Sequence, residues 1–92
     1  MKGFYRDLQV GHVLVHPRAA GGTQGLEIVN IAKEPKEGFS GGSWRVAETF
    51  NLSEGVVNFI EMRDEEPIVY YTHRRRFFLA LAFNLFRSLP WR

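Results

Sequence analysis

Two histidines, His12 and His16, have a spacing that could bind a metal ion. On a helix, four residues apart, both imidazoles would lie on one face. The residues between them, Val13 to Val15, favour a strand, along which four residues advance about 13 Å. Two imidazoles so far apart cannot share a metal ion that lies about 2 Å from each nitrogen. The sequence therefore predicts two ordinary strand histidines and no metal site.

A glycine-rich segment, Gly22 to Gly25, matches the GxxG pattern with which KH domains clamp a nucleic-acid backbone. In those domains the loop joins two helices, whereas both neighbouring segments here have a strand pattern. No Lys-Ser/Thr pair follows and no helix begins after it, as a phosphate-binding loop would require. The segment is therefore interpreted as a hairpin connection.

Groups that could perform catalysis are few. None of the serines lies in a nucleophile-elbow pattern. Carboxylates cluster only at Asp64 to Glu66, which the pattern places at a solvated turn, whereas paired acid and base carboxylates need a desolvated setting. The sequence predicts no catalytic residue, no cofactor and no small-molecule substrate, and hence a non-enzymatic protein.

Alternating apolar residues predict five short strands. These are Val10 to His16, Leu26 to Lys33, Trp44 to Asn51, Val56 to Arg63 and Ile68 to Thr72. Strands so close in sequence favour antiparallel neighbours, and the last two are predicted to pair as a hairpin. A helix is predicted over 73–89, with Thr72 as N-cap and Pro90 beyond its end. Residues 1–92 are thus predicted to form one α+β domain, with its strands within 8–72 and the helix packed on a curled antiparallel sheet.

The stretch from Leu8 to Pro17, followed by a glycine-rich loop and Ile28 to Ile31, resembles the opening of SH3-like barrels. Those barrels often contain a Val-Gly-Asp triplet here, and His12 takes the place of the acidic residue. The resemblance covers about a quarter of the chain. It implies a curled sheet and nothing about activity.

Charge is divided unevenly along the chain. Residues 1–72 hold seven Lys/Arg and ten Asp/Glu, whereas residues 73–92 hold five arginines and no acid. Such an uneven distribution of charge gives information about the kind of binding partner rather than about the fold. Nucleic-acid binders usually carry a basic excess across the whole domain, so the basic tail favours an acidic protein surface.

The longest apolar stretch, Phe77 to Leu89, is shorter than the roughly 18–20 residues that cross a bilayer. The first residues are charged and lack the apolar run of a signal peptide. The chain also has no cysteine, which fits a reducing compartment. We therefore expect no membrane span and a cytoplasmic protein.

The predicted helix is apolar around most of its circumference. At about 100° per residue its apolar arc covers about 240°, whereas a helix lying on a sheet needs little more than about 100°. One side would cover the sheet and the other would carry Leu79, Phe83 and Phe86. Either a curled sheet with the 34–43 loop buries this second side, or another chain does. Arginines in the first turn oppose the helix dipole, and Glu54 is the expected intramolecular counter-ion.

The sequence therefore predicts a small protein–protein interaction module that acts through an apolar, arginine-rimmed helix. The partner is a second copy, giving a homodimer, or a larger complex that the protein inhibits or adapts, as small proteins of phages and mobile elements do. The predicted contact residues are Arg74, Arg75, Arg76, Leu79, Phe83, Phe86 and Arg87. The alternative is nucleic-acid binding, for which the predicted residues are Arg74, Arg75, Arg76, Arg45 and Tyr71.

Overall fold

A computed structural model describes residues 1–17, 23–31 and 44–88, and the side chains of these residues apart from 44 and 84–88. The described chain contains six strands, a 3₁₀ turn and one α-helix. The strands are β1 (Lys2–Phe4), β2 (Val13–Pro17), β3 (Thr23–Ile31), β4 (Trp44–Asn51), β5 (Val57–Arg63) and β6 (Pro67–Tyr71). The 3₁₀ turn is Tyr5–Asp7 and the helix α1 is Arg74–Ser88.

The strands form one antiparallel sheet in the order β1-β6-β2-β3-β4-β5. β5 forms one edge of the sheet, while β6, which follows it in the chain after a short turn, lies next to the opposite edge. The sheet must curl to bring these two regions together, although it does not close. The predicted class, an α+β domain with a curled antiparallel sheet and a C-terminal helix, is confirmed.

The predicted hairpin between the last two strands is wrong. β6 pairs with β1 and β2 rather than with β5. The chain start explains the difference, because the Tyr5 N–H donates to the Glu66 carbonyl at 2.9 Å and the Arg6 N–H donates to the Asp64 carbonyl at 3.0 Å. The 3₁₀ turn thus binds the backbone of the acidic turn and separates the two strands that the turn connects.

Two further differences concern the first strands. β1 is not among the predicted strands, since three residues are too few to show an alternating pattern. The predicted strand from Val10 begins only at Val13, because Gly11 has a φ of +95° and the His12 N–H donates to the Gln9 carbonyl in a turn. The predicted continuation of the second strand to Lys33 lies outside the described residues.

One face of the sheet, here called the inner face, carries the core. Its buried strand residues come from β2, β3, β4 and β6, and the segment after β1 adds two more apolar side chains. Burial of each large side chain contributes about 1.5–3 kcal/mol to stability. The cluster comprises Leu14, Leu26, Ile28, Ala47, Ile68, Tyr70, Tyr5 and Leu8. The opposite, outer face carries Val13, Glu27 and Tyr71, which lie in one row across β3, β2 and β6.

Tyr5 provides a spectroscopic test of this core. Its side chain is 2% exposed and its hydroxyl donates to the Arg45 carbonyl at 3.2 Å. Burial, with a smaller contribution from the charge of Asp64, raises the pKa of Tyr5 from 10.0 to about 12. Because the unfolded chain loses this proton first, Tyr5 contributes stability that is present below pH 10 and is lost as the pH rises towards 12.

We expect alkaline absorbance titration to show Tyr5 ionising late and together with unfolding. Tyr5→Phe should remove that late step and reduce the free energy of unfolding by about 0.5–1.5 kcal/mol, the usual value of one hydrogen bond. Ionisation near pH 10 in the folded wild type, with no late step that Tyr5→Phe removes, would contradict the burial of this hydroxyl.

Candidate interaction surface

The helix α1 is attached to the outer face by an arginine in its first turn. Arg74 binds Glu27 through two contacts, Nη2 to Oε1 at 2.6 Å and Nε to Oε2 at 2.9 Å. Hydrogen bonding to Glu27, reinforced by its charge, raises the pKa of Arg74 above its usual value. Because the guanidinium group makes two contacts with one carboxylate, the orientation of the arginine is fixed as well as its distance from the glutamate. Arg74 therefore orients the start of α1 on the sheet.

Glu54, the expected counter-ion of the arginines, does not fill that role. Its backbone N–H instead donates to Asn51 Oδ1 at 2.9 Å in the turn after β4. Glu27 takes the role because Val13 lies between Glu27 and Tyr71 in register, which places the carboxylate beside the start of α1. The ion pair between Arg74 and Glu27 depends on the pairing of three strands, and the spacing of residues along the sequence does not predict it.

Phe77 supplies the second attachment of α1. Its ring stacks on Tyr71 with centroids 5.9 Å apart and an angle of 12° between the planes. It also lies directly over Gly25, where a Cβ atom would come within 2.6 Å of Phe77 Cζ. Only glycine leaves room for the ring. Val13, between Glu27 and Tyr71 in the sheet, is fully buried.

The helix begins one residue later than predicted. Thr72 is the predicted N-cap, but the first helical hydrogen bond runs from the Phe77 N–H to the His73 carbonyl at 3.3 Å. The Arg76 N–H donates to His73 Nδ1 at 3.3 Å, so His73 is the residue that caps α1. The later start leaves Arg74, Arg75 and Arg76 as consecutive residues of the first turn.

The rest of the described helix is largely exposed. Leu79 is 63% exposed and Phe83 is 60% exposed, and Phe78 and Leu81 are also exposed. Leu79, Ala80, Phe83 and Arg76 line one wall of a groove of about 710 Å³, whose other wall includes Met1 and Tyr71. The described sheet therefore does not bury the second side of the helix. The 34–43 loop and the side chains of Phe86 and Arg87 lie outside the described residues.

The two residues that attach α1, Arg74 and Phe77, lie on the opposite side from the most exposed apolar residues of the described helix, Leu79 and Phe83. At about 100° per residue, Arg74 and Phe77 are centred near 70°, counting from His73. On the same scale Arg75, Arg76, Leu79 and Phe83 are centred near 250°. The helical positions thus bring four of the predicted contact residues onto the side of α1 opposite Arg74 and Phe77, and they assign Arg74 to the attached side.

The residues predicted for nucleic-acid binding do not form one surface. Arg45 Nε lies 2.9 Å from Asp64 Oδ1, on the inner side near Tyr5. Tyr71 is on the outer face beneath Phe77. Arg74, Arg75 and Arg76 are close to Tyr71 in the chain, but Arg45 is separated from them by the sheet.

The two histidines also lie apart. His12 precedes β2, stacks on Tyr70 at 5.0 Å between ring centroids and accepts from the Gln9 N–H through Nδ1 at 3.1 Å. Burial lowers the pKa of His12. His16 is within β2, with Nδ1 2.9 Å from the Pro17 carbonyl oxygen. In the described parts of the chain, no three His, Cys, Asp or Glu residues come together as metal ligands.

A second exposed surface, not predicted from the sequence, lies on the outer face of β4 and β5. Three cross-strand pairs form it, and we call it the β4–β5 patch. The pairs are Val46 with Glu61, Glu48 with Phe59, and Phe50 with Val57. Phe59 is 71% exposed and Val57 is 53% exposed. The sequence does contain a signal, because β5 has apolar residues on both faces, Ile60 and Met62 inward and Val57 and Phe59 outward.

These features define a small α+β protein with an open, curled sheet and a helix attached at its start. No known protein family, no curated protein and no solved structure matches the chain. Within the described residues, no helix has the length and apolar character needed to cross a membrane. The function is therefore inferred from the chemistry of the chain's own surfaces.

Proposed function

We propose that the protein is a non-enzymatic protein–protein interaction module of the cytoplasm, and that the exposed side of α1 is its binding surface. The observation that carries the proposal is the exposure of Leu79 and Phe83 on the side of the helix opposite its attachment. Burying such side chains is worth about 1.5–3 kcal/mol each. A large exposed apolar surface with a charged rim is typical of protein contact sites.

The shape of the molecule supports the same proposal. The chain extends 56 Å along its longest axis and 24 and 23 Å across. A helix held by Arg74 and Phe77 presents its remaining turns for contact rather than filling the core. Arg75 and Arg76 are exposed at the margin of this side, where they would contact an acidic partner. Phe86 and Arg87 remain predicted contact residues of this surface.

Two observations favour a protein partner over nucleic acid. Arg74 is already bound to Glu27, so it contributes less to an electrostatic contact with phosphates. Arg45 is bound to Asp64 on the inner side of the sheet. Arg75 and Arg76 lie on the same side of α1 as Leu79 and Phe83, and this combination of charged and apolar residues suits a protein contact.

The test replaces both exposed side chains, Leu79→Ser with Phe83→Ser. We expect the variant to keep the circular dichroism of the wild type but to lose binding to its protein partner. Binding would be measured by immobilising the variant or the wild type and comparing how much of the partner each retains. Val10→Ser is the matched control, since Val10 is 65% exposed and precedes β2, far from α1 in the chain. It should bind as the wild type does.

Two results would contradict the proposal. If the double variant unfolds, Leu79 and Phe83 belong to the core. If the protein binds DNA or RNA in a gel shift at low salt and loses that binding at higher salt, the arginines serve phosphate contacts, which weaken steeply with salt.

A further inference from the structure

The β4–β5 patch is apolar and acidic. Its apolar residues surround two carboxylates, Glu48 and Glu61, and none of the six residues of the patch is a lysine or arginine. Glu48 lines a shallow depression of about 150 Å³ together with Val46, Phe59 and Asn30. The patch therefore suits an element that is apolar and basic.

The exposed side of α1 has this complementary character. It combines Leu79 and Phe83 with Arg75 and Arg76, and the helix contains no acidic residue. An acidic, apolar sheet surface and a basic, apolar helix surface thus occur in the same chain. The exposure of Phe59 and Val57 shows that α1 does not cover the patch of its own chain.

The contact between α1 and its own sheet shows that the outer face accepts such a helix. There an arginine binds a glutamate, Arg74 to Glu27, and a phenylalanine packs on the strand, Phe77 on Gly25. Glu27 is directly opposite Phe50, so this contact borders the β4–β5 patch. Arg75 or Arg76 with Glu48, and Phe83 with Phe59, would repeat the same pairing of residue types.

We propose that the exposed side of α1 packs on the β4–β5 patch of a second copy of the chain, and that the exchange is reciprocal. The result is a two-fold symmetric dimer in which each copy supplies one helix and one patch. This inference rests on the proposed function, since it uses the same side of α1, and it adds the partner and the surface that receives the helix.

Charge favours this arrangement over a direct contact between two helices. Two copies of α1 side by side would bring arginines together with no acid from either helix to balance them. Like charges facing each other across an interface cost binding energy, whereas opposite charges raise both specificity and association rate. The patch provides the carboxylates that α1 lacks.

Reversing the charges on each surface tests the proposal. One variant carries Glu48→Arg and the other carries Arg75→Glu with Arg76→Glu. Each variant alone should dimerise at least about tenfold more weakly than the wild type in sedimentation velocity experiments, because residues 75 and 76 of the helix then face a like charge at position 48 of the patch. An equimolar mixture should regain dimers, since each helix then meets a patch of opposite charge.

Glu54→Arg is the matched control, because it makes the same change of charge in the exposed turn between β4 and β5. It should dimerise as the wild type does. Phe59→Ser is a second variant that does not depend on charge. Because that side chain is 71% exposed, the variant should remain folded by circular dichroism while its dimerisation weakens.

The outcomes separate this inference from the proposed function. Dimers of Glu48→Arg as stable as the wild type would overturn the inference and indicate a contact between helices. A wild-type protein that stays monomeric would also overturn it. The proposed function would nevertheless stand if the Leu79 and Phe83 double variant loses a different protein partner, and it would fail if that variant binds as the wild type does.

Discussion

Gly25→Ala is expected to displace Phe77 and loosen α1 while the sheet remains folded. A Cβ atom at this position would lie 2.6 Å from Cζ and 2.8 Å from Cδ1 of Phe77, closer than van der Waals contact allows. The ring must leave its place over β3. We expect the free energy of unfolding to fall by about 1–3 kcal/mol, as for other overpacked sites. Denaturant titration would measure the loss, and hydrogen exchange would show faster exchange of α1 amides.

The control is the same substitution in a Phe77→Ala background. Gly25 is not among the glycines with positive φ, so alanine fits its backbone once the ring is gone. There Gly25→Ala should be neutral or slightly stabilising, since alanine restricts the unfolded chain more than glycine does. The effect of Gly25→Ala on the free energy of unfolding should therefore be much smaller, or opposite in sign, in the Phe77→Ala background. Equal effects in both backgrounds would show that Phe77 does not occupy the space above Gly25.

Asn51→Ala is expected to reduce the free energy of unfolding by about 2–3 kcal/mol. Asn51 is 1% exposed and its Oδ1 accepts hydrogen bonds from the N–H groups of Ser53 and Glu54, both at 2.9 Å. Its Nδ2 donates to Gln24 Oε1 at 2.7 Å, which ties the end of β4 to β3. Alanine removes these three hydrogen bonds, and each such bond contributes about 0.5–1.5 kcal/mol to stability.

Two related variants distinguish this account from a general effect of losing an amide. Asn51→Asp keeps an acceptor for the two turn N–H groups but loses the donor to Gln24, so its stability at neutral pH should also be lower than that of the wild type. Asn58→Ala is the control, because Asn58 is exposed on β5 and should change stability by no more than about 0.5 kcal/mol. Thermal unfolding of Asn51→Ala that matches Asn58→Ala would contradict the role of Asn51.

Both substitutions bear on the binding surface. Gly25 and Phe77 hold α1 at the position from which its opposite side is exposed. Asn51 ends β4, the strand that carries half of the β4–β5 patch. Gly25→Ala should therefore weaken association without changing any residue of either surface. Such a result would show that binding depends on the position of α1 as well as on the residues that it exposes.

Most strand and helix segments could be predicted from local pattern. The alternation from Trp44 to Asn51 matches β4 residue for residue, and the helix begins and ends within about a residue of its predicted bounds wherever it is described. These elements depend on side chains two to four positions apart, so the sequence records them directly. The apolar surplus of α1 is visible in the same way.

Strand pairing and the candidate site could be predicted only in part. The Tyr70 N–H donates to the Met1 carbonyl at 2.9 Å, a contact between opposite ends of the chain that no local pattern contains. That contact, with the 3₁₀ turn on the acidic turn, places β6 beside β1 instead of β5. The binding of Arg74 to Glu27 rather than to Glu54 follows from this pairing.

The sequence alone therefore establishes an α+β chain with a basic helix that is apolar on more than one side, because composition and periodicity are local properties. It does not indicate which side of that helix meets the sheet, nor which residues of β4 lie beside the outer apolar residues of β5. Those features arise when distant strands pair and bring Gly25, Glu27 and Tyr71 together beneath one turn of α1. Pairing across the sheet is settled by packing of the whole chain, and it decides which residues remain on the surface.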